Sequence, residues 1–488
     1  MKIETPLNER LFGLDPLQAR DIHLTGVCGA GMGAMARLLK DRGYHVRGSD
    51  EAVYPPMSDF LREWGIPVRE GFKASNLDPK PDLVIVGNVV SRRHEEAEAL
   101  LRSRIPYLSF PEAVRRFFLD QKHPIAVCGT HGKTTTTGLL AWIFRAAGKD
   151  PGFFFGGIMK GLNVSSHCGE GDHFIIEGDE YDTAFFDTRP KFVHYIPEIA
   201  IVNGIEFDHA DLYKDLDEMK RSFSLLKEGG GEKRWIIFHG DDPHCREIYR
   251  DFARTETFGL GGQNLWSAAN LVPEAGGTRY HPLYDSKPVA EVFLPLWGRH
   301  NVLNSLAAFA AASKAGLSPE EIGLGLQSFP GMKRRQEIFY SQDGVDLVDD
   351  FAHHPTAVKE TINAVRSHNP QSRILAVYEP RSNTSRSNIF QEAYERSFDG
   401  ADEVVLYKPI QKNTRLLKES PFLDMDILSS KINDKTPCKA VTDREGLFET
   451  VAEKINARNP KENLIVLIMS NGKFEGIYKE LPKRIKGI

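Results

Sequence analysis

Short apolar runs alternate with amphipathic stretches along nearly the whole chain. A strand covered on both faces reads as continuous apolar sequence, and the helix that covers it as one-sided, so the pattern is that of parallel α/β units. It predicts strands over 23–27, 44–49, 83–87 and 105–110, with a helix over 32–42. A second series of strands covers 125–128, 174–177, 200–203 and 235–239. There follow a stretch rich in Gly and Asn, 260–277, expected to be loop or irregular β structure, and an Ala-rich helix over 302–315. A third series covers 345–349, 373–378, 403–407 and 464–469. At 488 residues the chain exceeds one core, since a domain holds roughly 100–200 residues. Three α/β domains in series are expected, over 1–121, 122–333 and 334–488.

Glycine turns interrupt this pattern where a strand gives way to a helix. The more telling one is Gly129-Thr130-His131-Gly132-Lys133-Thr134-Thr135-Thr136 after the apolar run 125–128. Glycines let the backbone fold round a phosphate chain with amide N–H groups pointing inward, and the following helix presents its N-terminal amides to the same anion. Lys133 suits the β- and γ-phosphates and the Thr134 hydroxyl suits a magnesium ion, which points to ATP. The general motif has Gly or Ala one turn earlier, where this chain has Val127, so the loop is a shortened variant.

A magnesium site also needs carboxylates. Glu177 opens Glu-Gly-Asp-Glu-Tyr-Asp182 at a predicted strand end, where ligands gather in parallel sheets. A second acidic run, Glu206-Phe-Asp-His-Ala-Asp211, places His209 as a further metal candidate. The other turn, Gly26-Val-Cys-Gly29-Ala-Gly31-Met-Gly33, with Asp50 ending the next strand, has the spacing of a dinucleotide fingerprint with its ribose-binding acid. The lesser alternative is that Asp50 only caps or turns the chain. A dehydrogenase would fit this first turn but has no use for the second.

Charge changes the picture by exclusion. A net charge of −5 disfavours a nucleic-acid partner, which calls for a basic face. The polar first residues carry no apolar signal core, and no apolar run approaches the ~20 residues that span a bilayer, so no membrane insertion is expected. The cysteines Cys28, Cys128, Cys168, Cys245 and Cys438 are scattered, without metal-like pairing, and a reducing cytoplasm fits them. A monomer or weak homo-oligomer is expected.

The phosphate loop, with Gly298-Arg-His-Asn-Val-Leu-Asn304 and Asp349-Asp-Phe-Ala-His-His-Pro355, resembles the Mur ligases of peptidoglycan metabolism, in family order from about His23 to Tyr478. The first turn and the His-His-Pro run resemble its muramate-using branch. Tyr54-Pro-Pro-Met-Ser58, Glu379-Pro-Arg-Ser-Asn-Thr384 and Met469-Ser-Asn-Gly472 resemble the members that recycle murein peptide. Lys473 and Glu475 stand where those members usually have glycine, and Ser385-Arg386 where Met-Lys is usual.

The resemblance implies an N-terminal Rossmann-like domain, a central P-loop ATPase-like domain and a C-terminal Rossmann-like domain. It implies that Gly26, Gly29, Gly31, Gly33 and Asp50 hold the UDP part of UDP-N-acetylmuramic acid. Gly129, Thr130, His131, Gly132, Lys133, Thr134 and Thr135 would hold the ATP phosphates, with Mg2+ on Thr134, Glu177 and His209. Asn301 and Asn304 would position the adenine end; Arg335 and Asp350 would reach the γ-phosphate and ribose. Arg381, Ser382 and Asn383 would grip the incoming peptide, L-alanyl-γ-D-glutamyl-meso-diaminopimelate. No lysine after His209 stands out for the carbamylated bridge that some relatives use.

Such a set of residues can make an amide. A carboxylate does not react with an amine at neutral pH, but its acyl phosphate does, with phosphate as the leaving group. Lys133 and magnesium would screen the meeting of two anions, and His353 or His354 is a candidate base for the amine unless the pair only packs or caps. Three rivals stay open: a ligase adding L-alanine, a P-loop ATPase switch, and a non-catalytic UDP-sugar sensor.

Overall fold

A computed structural model describes residues 6–55, 57–229, 234–408 and 421–485; of the run 54–58, Pro56 lies outside them. The chain divides into two compact units, each discontinuous in sequence. The first comprises Met1–Ile205, Met219–Phe258 and Ala307–Gly325, the second Glu206–Glu218, Gly259–Leu306 and Leu326–Ile488.

The first unit is built on two largely parallel sheets. In one, the order is Val68–Glu70, His45–Asp50, Asp21–Thr25, Leu83–Val86, Tyr107–Ser109. The chain starts in the middle strand, goes first to one side and then to the other, so the order reverses at Asp21–Thr25. That reversal leaves a crevice at the strand's C-terminal end, where the first glycine turn lies. The other sheet repeats the device. Its strand His123–Cys128 lies between His173–Glu177 and Ile199–Val202, which belong to opposite halves of the sheet, and the second glycine loop follows it. The middle strands are closed to solvent on both faces, which is why Ile125 to Cys128 reads as one apolar run.

The two sheets are tied together by a charged network at the centre of an apolar contact. Arg10, 1% exposed, donates to Glu112 Oε1 at 2.6 Å and Oε2 at 3.0 Å, and its guanidinium lies over Phe186 at 4.6 Å. Asp187 accepts from Arg189 Nε at 3.0 Å and Nη2 at 2.7 Å, and His194 lies 3.3 Å from the same carboxylate. Around them Phe186 meets Tyr107 edge-on, and Phe110 meets Phe154 in the same way. Burial alone would raise the Glu112 and Asp187 carboxyls; their arginine and histidine partners outweigh it and hold both below the ordinary carboxylate range.

The second unit is built on a six-stranded sheet in the order Glu337–Gln342, Val345–Asp350, Leu464–Met469, Arg373–Tyr378, Glu403–Tyr407, Cys438–Val441. Only the first of these runs antiparallel to its neighbour. Apolar clusters cover both faces, one through Val358, Ile362 and Leu428, the other through Leu447, Val451 and Leu481. The stretch 260–277 departs from its expected loop. Trp266–Glu274 pairs antiparallel with Gly277–Tyr284, and a register shift between Ala269 and Val272 absorbs Asn270 at φ 53°. Asparagine tolerates that left-handed conformation, so a residue type that signals a turn here marks a bulge within a strand.

Removing Arg10 strands the Glu112 carboxylate, whose side chain is 7% exposed, away from water. Arg10→Ala should cost the first unit about 3–5 kcal/mol, read as an earlier urea transition. An unchanged midpoint would show that the pair is not part of what joins the two sheets.

Candidate active site

In the first unit the phosphate loop joins strand His123–Cys128 to helix Lys133–Ala146. Gly129 adopts φ 117°, and a Cβ there would meet the Asn203 amide nitrogen at 2.8 Å, so both conformation and space demand glycine. Gly132 at φ 75° turns the chain into the helix. The Thr130 amide donates to Gly204 O at 2.9 Å and so is spent on the scaffold. The first helical bond is Thr136 N to Gly132 O, which leaves the amides of Lys133, Thr134 and Thr135 ahead of it, the orphan donors of a helix start.

Lys133 is held by carboxylate. Its ammonium donates to Glu180 Oε2 at 2.8 Å and Oε1 at 3.1 Å, and to the loop carbonyl of Gly129 at 2.7 Å. Burial opposes this charge, but Glu180, Asp179 and Glu177 outweigh it, and the Lys133 pKa lies above its ordinary value. Glu177 ends strand His173–Glu177 and accepts from the Gly156 amide and the Thr134 hydroxyl. Burial and the charge of Asp179 push its carboxyl upward. The structure therefore brings Lys133, Thr134 and Glu177 together, as expected, and adds Glu180. The signal for Glu180 in the sequence is its place within the acidic run that Glu177 opens.

At the first turn, Gly29 precedes helix Ala30–Asp41, which carries Gly31 and Gly33 in its opening turn. Asp50 Oδ2 accepts from the Cys28 amide at 2.8 Å, so one of its oxygens braces the turn. Burial, then the nearby Asp50 charge, pushes the Cys28 thiol up to about 11.

The second unit gathers the remaining candidates. Asp208 is 4% exposed and electrostatically coupled to His209, His353 and His354; burial would raise its carboxyl, yet these three hold it below the ordinary range. His209 adopts φ 53°. The segment it belongs to is fixed to 383–384 by Ala210 N donating to Thr384 Oγ1 at 3.2 Å and Asn383 Nδ2 donating to Asp211 Oδ2 at 3.2 Å. The two histidines of the His-His-Pro run differ. A carbonyl can only accept, so the His354 Nε2 facing Phe207 O at 3.3 Å carries the proton. Its Nδ1 lone pair then takes the Thr356 amide at 3.3 Å, capping helix Pro355–His368. His353 has the opposite tautomer: Nδ1 donates to Phe351 O at 3.0 Å and Nε2 carries the basic lone pair.

Asn301 and Asn304 lie in the first turns of helix Arg299–Lys314, with Asn304 Nδ2 donating to Asn301 Oδ1 at 3.1 Å. Both Asp350 oxygens are engaged, Oδ1 by the Ala352 amide at 2.8 Å and Oδ2 by the Gln336 amide at 2.9 Å. The Arg335 guanidinium lies over Phe351 at 4.8 Å. Arg381 reaches Glu379 Oε1 at 3.3 Å and passes over Gly472, where a Cβ would lie 2.0 Å from its Cδ. Ser382 Oγ accepts from the Ser385 amide at 3.1 Å. Burial, then repulsion from Arg381, lowers the pKa of Arg386, whose Nε has no acceptor among the described residues. Glu475 sits at φ 50°, a backbone conformation that glycine would take without strain.

Three family models match in sequence: "Mur ligase family, catalytic domain" over 21–122, "Mur ligase middle domain" over 127–312, and "Mur ligase, glutamate ligase domain" over 334–472. The chain is 40% identical over 463 residues to an Escherichia coli (strain K12) protein named UDP-N-acetylmuramate--L-alanyl-gamma-D-glutamyl-meso-2,6-diaminoheptandioate ligase, covering 94% of this chain and 97% of that one. A UDP-N-acetylmuramate--L-alanine ligase of Chlorobium phaeobacteroides (strain BS1) is 34% identical over 393 residues, covering 79% of this chain and 81% of that one. Among solved structures, a murein peptide ligase of Psychrobacter arcticus superposes with a TM-score of 0.66 at 33% identity, over 96% of this chain and 99% of that one.

Asp349 offers a test of this unit's electrostatics. Burial, opposed by Arg334 at 3.1 Å, raises its carboxyl to about 6. The folded state therefore keeps a proton that the unfolded chain has released, so stability falls as pH rises from the ordinary carboxyl range to about 6 and levels off above. The change is worth about 3 kcal/mol. Asp349→Asn should flatten the difference between urea midpoints at about pH 4 and about pH 7; a slope equal to that of the natural chain would count against the assignment.

Proposed function

This chain belongs to the Mur ligase family and is an ATP-dependent ligase of three-part α/β architecture, and we propose that it joins the carboxylate of UDP-N-acetylmuramic acid to the amine of L-alanyl-γ-D-glutamyl-meso-diaminopimelate. The observation that carries this choice of amine is the 40% identity to a ligase of that name, extending over 94% of the chain. The chemistry of the second unit supports it. Arg381 and Arg386 repel each other beside Glu379, whose carboxylate already accepts from Ser470 Oγ at 2.6 Å. An incoming carboxylate relieves that repulsion, and the tripeptide carries carboxylates beyond the one that L-alanine has.

In this reading the domains span 1–121, 122–333 and 334–488, and the work is done in the cytoplasm as a step of murein peptide recycling. Among the described residues no helix is long and apolar enough to cross a membrane. The first turn, with Gly26, Gly29, Gly31, Gly33 and Asp50, holds the UDP group. Lys133 and the amides of Lys133, Thr134 and Thr135 hold the ATP phosphates. Asn301 and Asn304 serve the adenine end, Arg335 and Asp350 the γ-phosphate and ribose, and Arg381, Ser382 and Asn383 the peptide.

Magnesium fits the donor set. Among the described residues, Glu177, Asp179 and Glu180 cluster round the Lys133 ammonium, which offers carboxylate oxygen to a hard cation where a polyphosphate would enter. Nucleotide therefore enters with divalent cation, for which Thr134, Glu177 and His209 are the protein ligands we propose. Bound there, the metal would supply charge neutralisation to the transferring phosphoryl group. Lys133 stays charged at any physiological pH because three carboxylates hold its proton. His353 is the better candidate for accepting the amine's proton, since the His354 Nδ1 already accepts a helix-capping amide.

Phosphate release is the deciding assay, with Mg-ATP, UDP-N-acetylmuramic acid and either tripeptide or L-alanine. Release with tripeptide is expected; release with L-alanine alone would reassign the amine substrate. Lys133→Ala should abolish release and product together. His353→Asn should lower kcat by about 10²–10⁴-fold, whereas His354→Asn should chiefly destabilise. Equal losses of kcat in both would remove the tautomer argument.

A further inference from the structure

Lys191 opens the short helix Lys191–Tyr195, directly after strand Asp187–Pro190. Its ammonium lies 3.2 Å from Asp179 Oδ2, next in sequence to the Glu180 that grips Lys133. The rings of Tyr181 and Phe110 flank it at 5.4 Å and 5.7 Å. Phe110 also abuts the first glycine turn: a methyl group on Gly31 would lie 3.6 Å from its Cζ. One lysine thus stands between the glycine turn of the first sheet and the acidic loop beside the phosphate loop of the second.

The surrounding structure does not need Lys191 to hold its shape. The strand before it is pinned by the paired bonds of Asp187 to Arg189, and the helix that Phe110 begins is pinned by Glu112 to Arg10. The side chain is 15% exposed, and of its three donors one has an acceptor among the described residues, the Asp179 carboxylate. Aromatic faces on two sides favour a cation but supply no hydrogen bond. A largely buried ammonium with donor capacity to spare is suited to an anionic oxygen arriving from outside the chain.

We propose that Lys191 binds the lactyl carboxylate of the sugar nucleotide and holds it at the threshold of the phosphate loop. The inference rests on the reading of UDP-N-acetylmuramic acid as the first substrate. That molecule has two anionic groups. Its diphosphate belongs with the glycine turn, while its carboxylate must travel to the γ-phosphate, past Glu177, Asp179 and Glu180. Three carboxylates repel a fourth. Lys133 is committed to the nucleotide, so the approach needs a cation of its own, and Lys191 stands beside it.

The test compares calorimetric binding of UDP-N-acetylmuramic acid and UDP-N-acetylglucosamine, which shares the uridine diphosphate but lacks the lactyl carboxylate. Lys191→Met should weaken the first by about 10- to 100-fold and leave the second unchanged. Lys191→Gln should show the same selective loss, and Lys191→Arg should restore most of the affinity. Equal weakening of both sugar nucleotides would assign Lys191 to the diphosphate and overturn the proposal, as would unchanged binding of both. A natural chain that binds neither sugar nucleotide would overturn the proposed function beneath it.

Discussion

A lysine ammonium withdrawn from water is costly unless carboxylate surrounds it, and the first unit is organised around meeting that cost at Lys133. The loop places the ammonium at the end of a fully covered strand, and Glu177, Asp179 and Glu180 come from the end of the neighbouring one. Neither strand could be moved without unpairing charge. The register His123 to His173 through Val127 to Glu177 therefore fixes chemistry as much as fold: a slip of one residue would carry Glu177 to the other face of the sheet. The Gly129 requirement belongs to the same constraint, because the loop must pass close against Asn203 on the other flanking strand for the lysine to curl back.

The resulting site is acidic at rest. It holds the Lys133 proton more firmly than a lone lysine would. The second unit has the converse bias. There Arg381 and Arg386 crowd one buried carboxylate, and the local preference is for an anion without metal. The two units thus carry clusters of opposite electrostatic preference.

The middle strands and the glycine loops were legible in the sequence because a strand covered on both faces must be apolar throughout, and a phosphate loop must have glycine where a Cβ would collide. What escaped was of two kinds. Short edge strands such as Val68–Glu70 and Cys438–Val441 carry little apolar pattern, since one flank or face is open. Residues whose meaning is relational also escaped. Nothing in the sequence singles out Glu180, Asp208 or Lys191. Only their surroundings distinguish them: a loop lysine, three imidazoles, and two rings with one carboxylate. The two adjacent histidines show the same limit, identical in type yet opposite in tautomer because their carbonyl partners differ.

The first unit's division into three stretches bears on how the chain is made. Its last stretch, Ala307–Gly325, returns to pack on the helix of the phosphate loop so closely that a Cβ on Gly325 would lie 2.7 Å from the Ile143 Cα. During synthesis at about 5–20 residues per second, the earlier strands leave the ribosome well before their covering arrives. Ile143, which is closed to solvent in the finished protein, waits meanwhile for a partner still being translated. Closing so long a loop is slow and exposes apolar surface while it lasts. The nascent chain is thus a natural client for a holding chaperone over that interval, and a message broken off before the codon for Ala307 would yield an aggregating fragment rather than a smaller working domain.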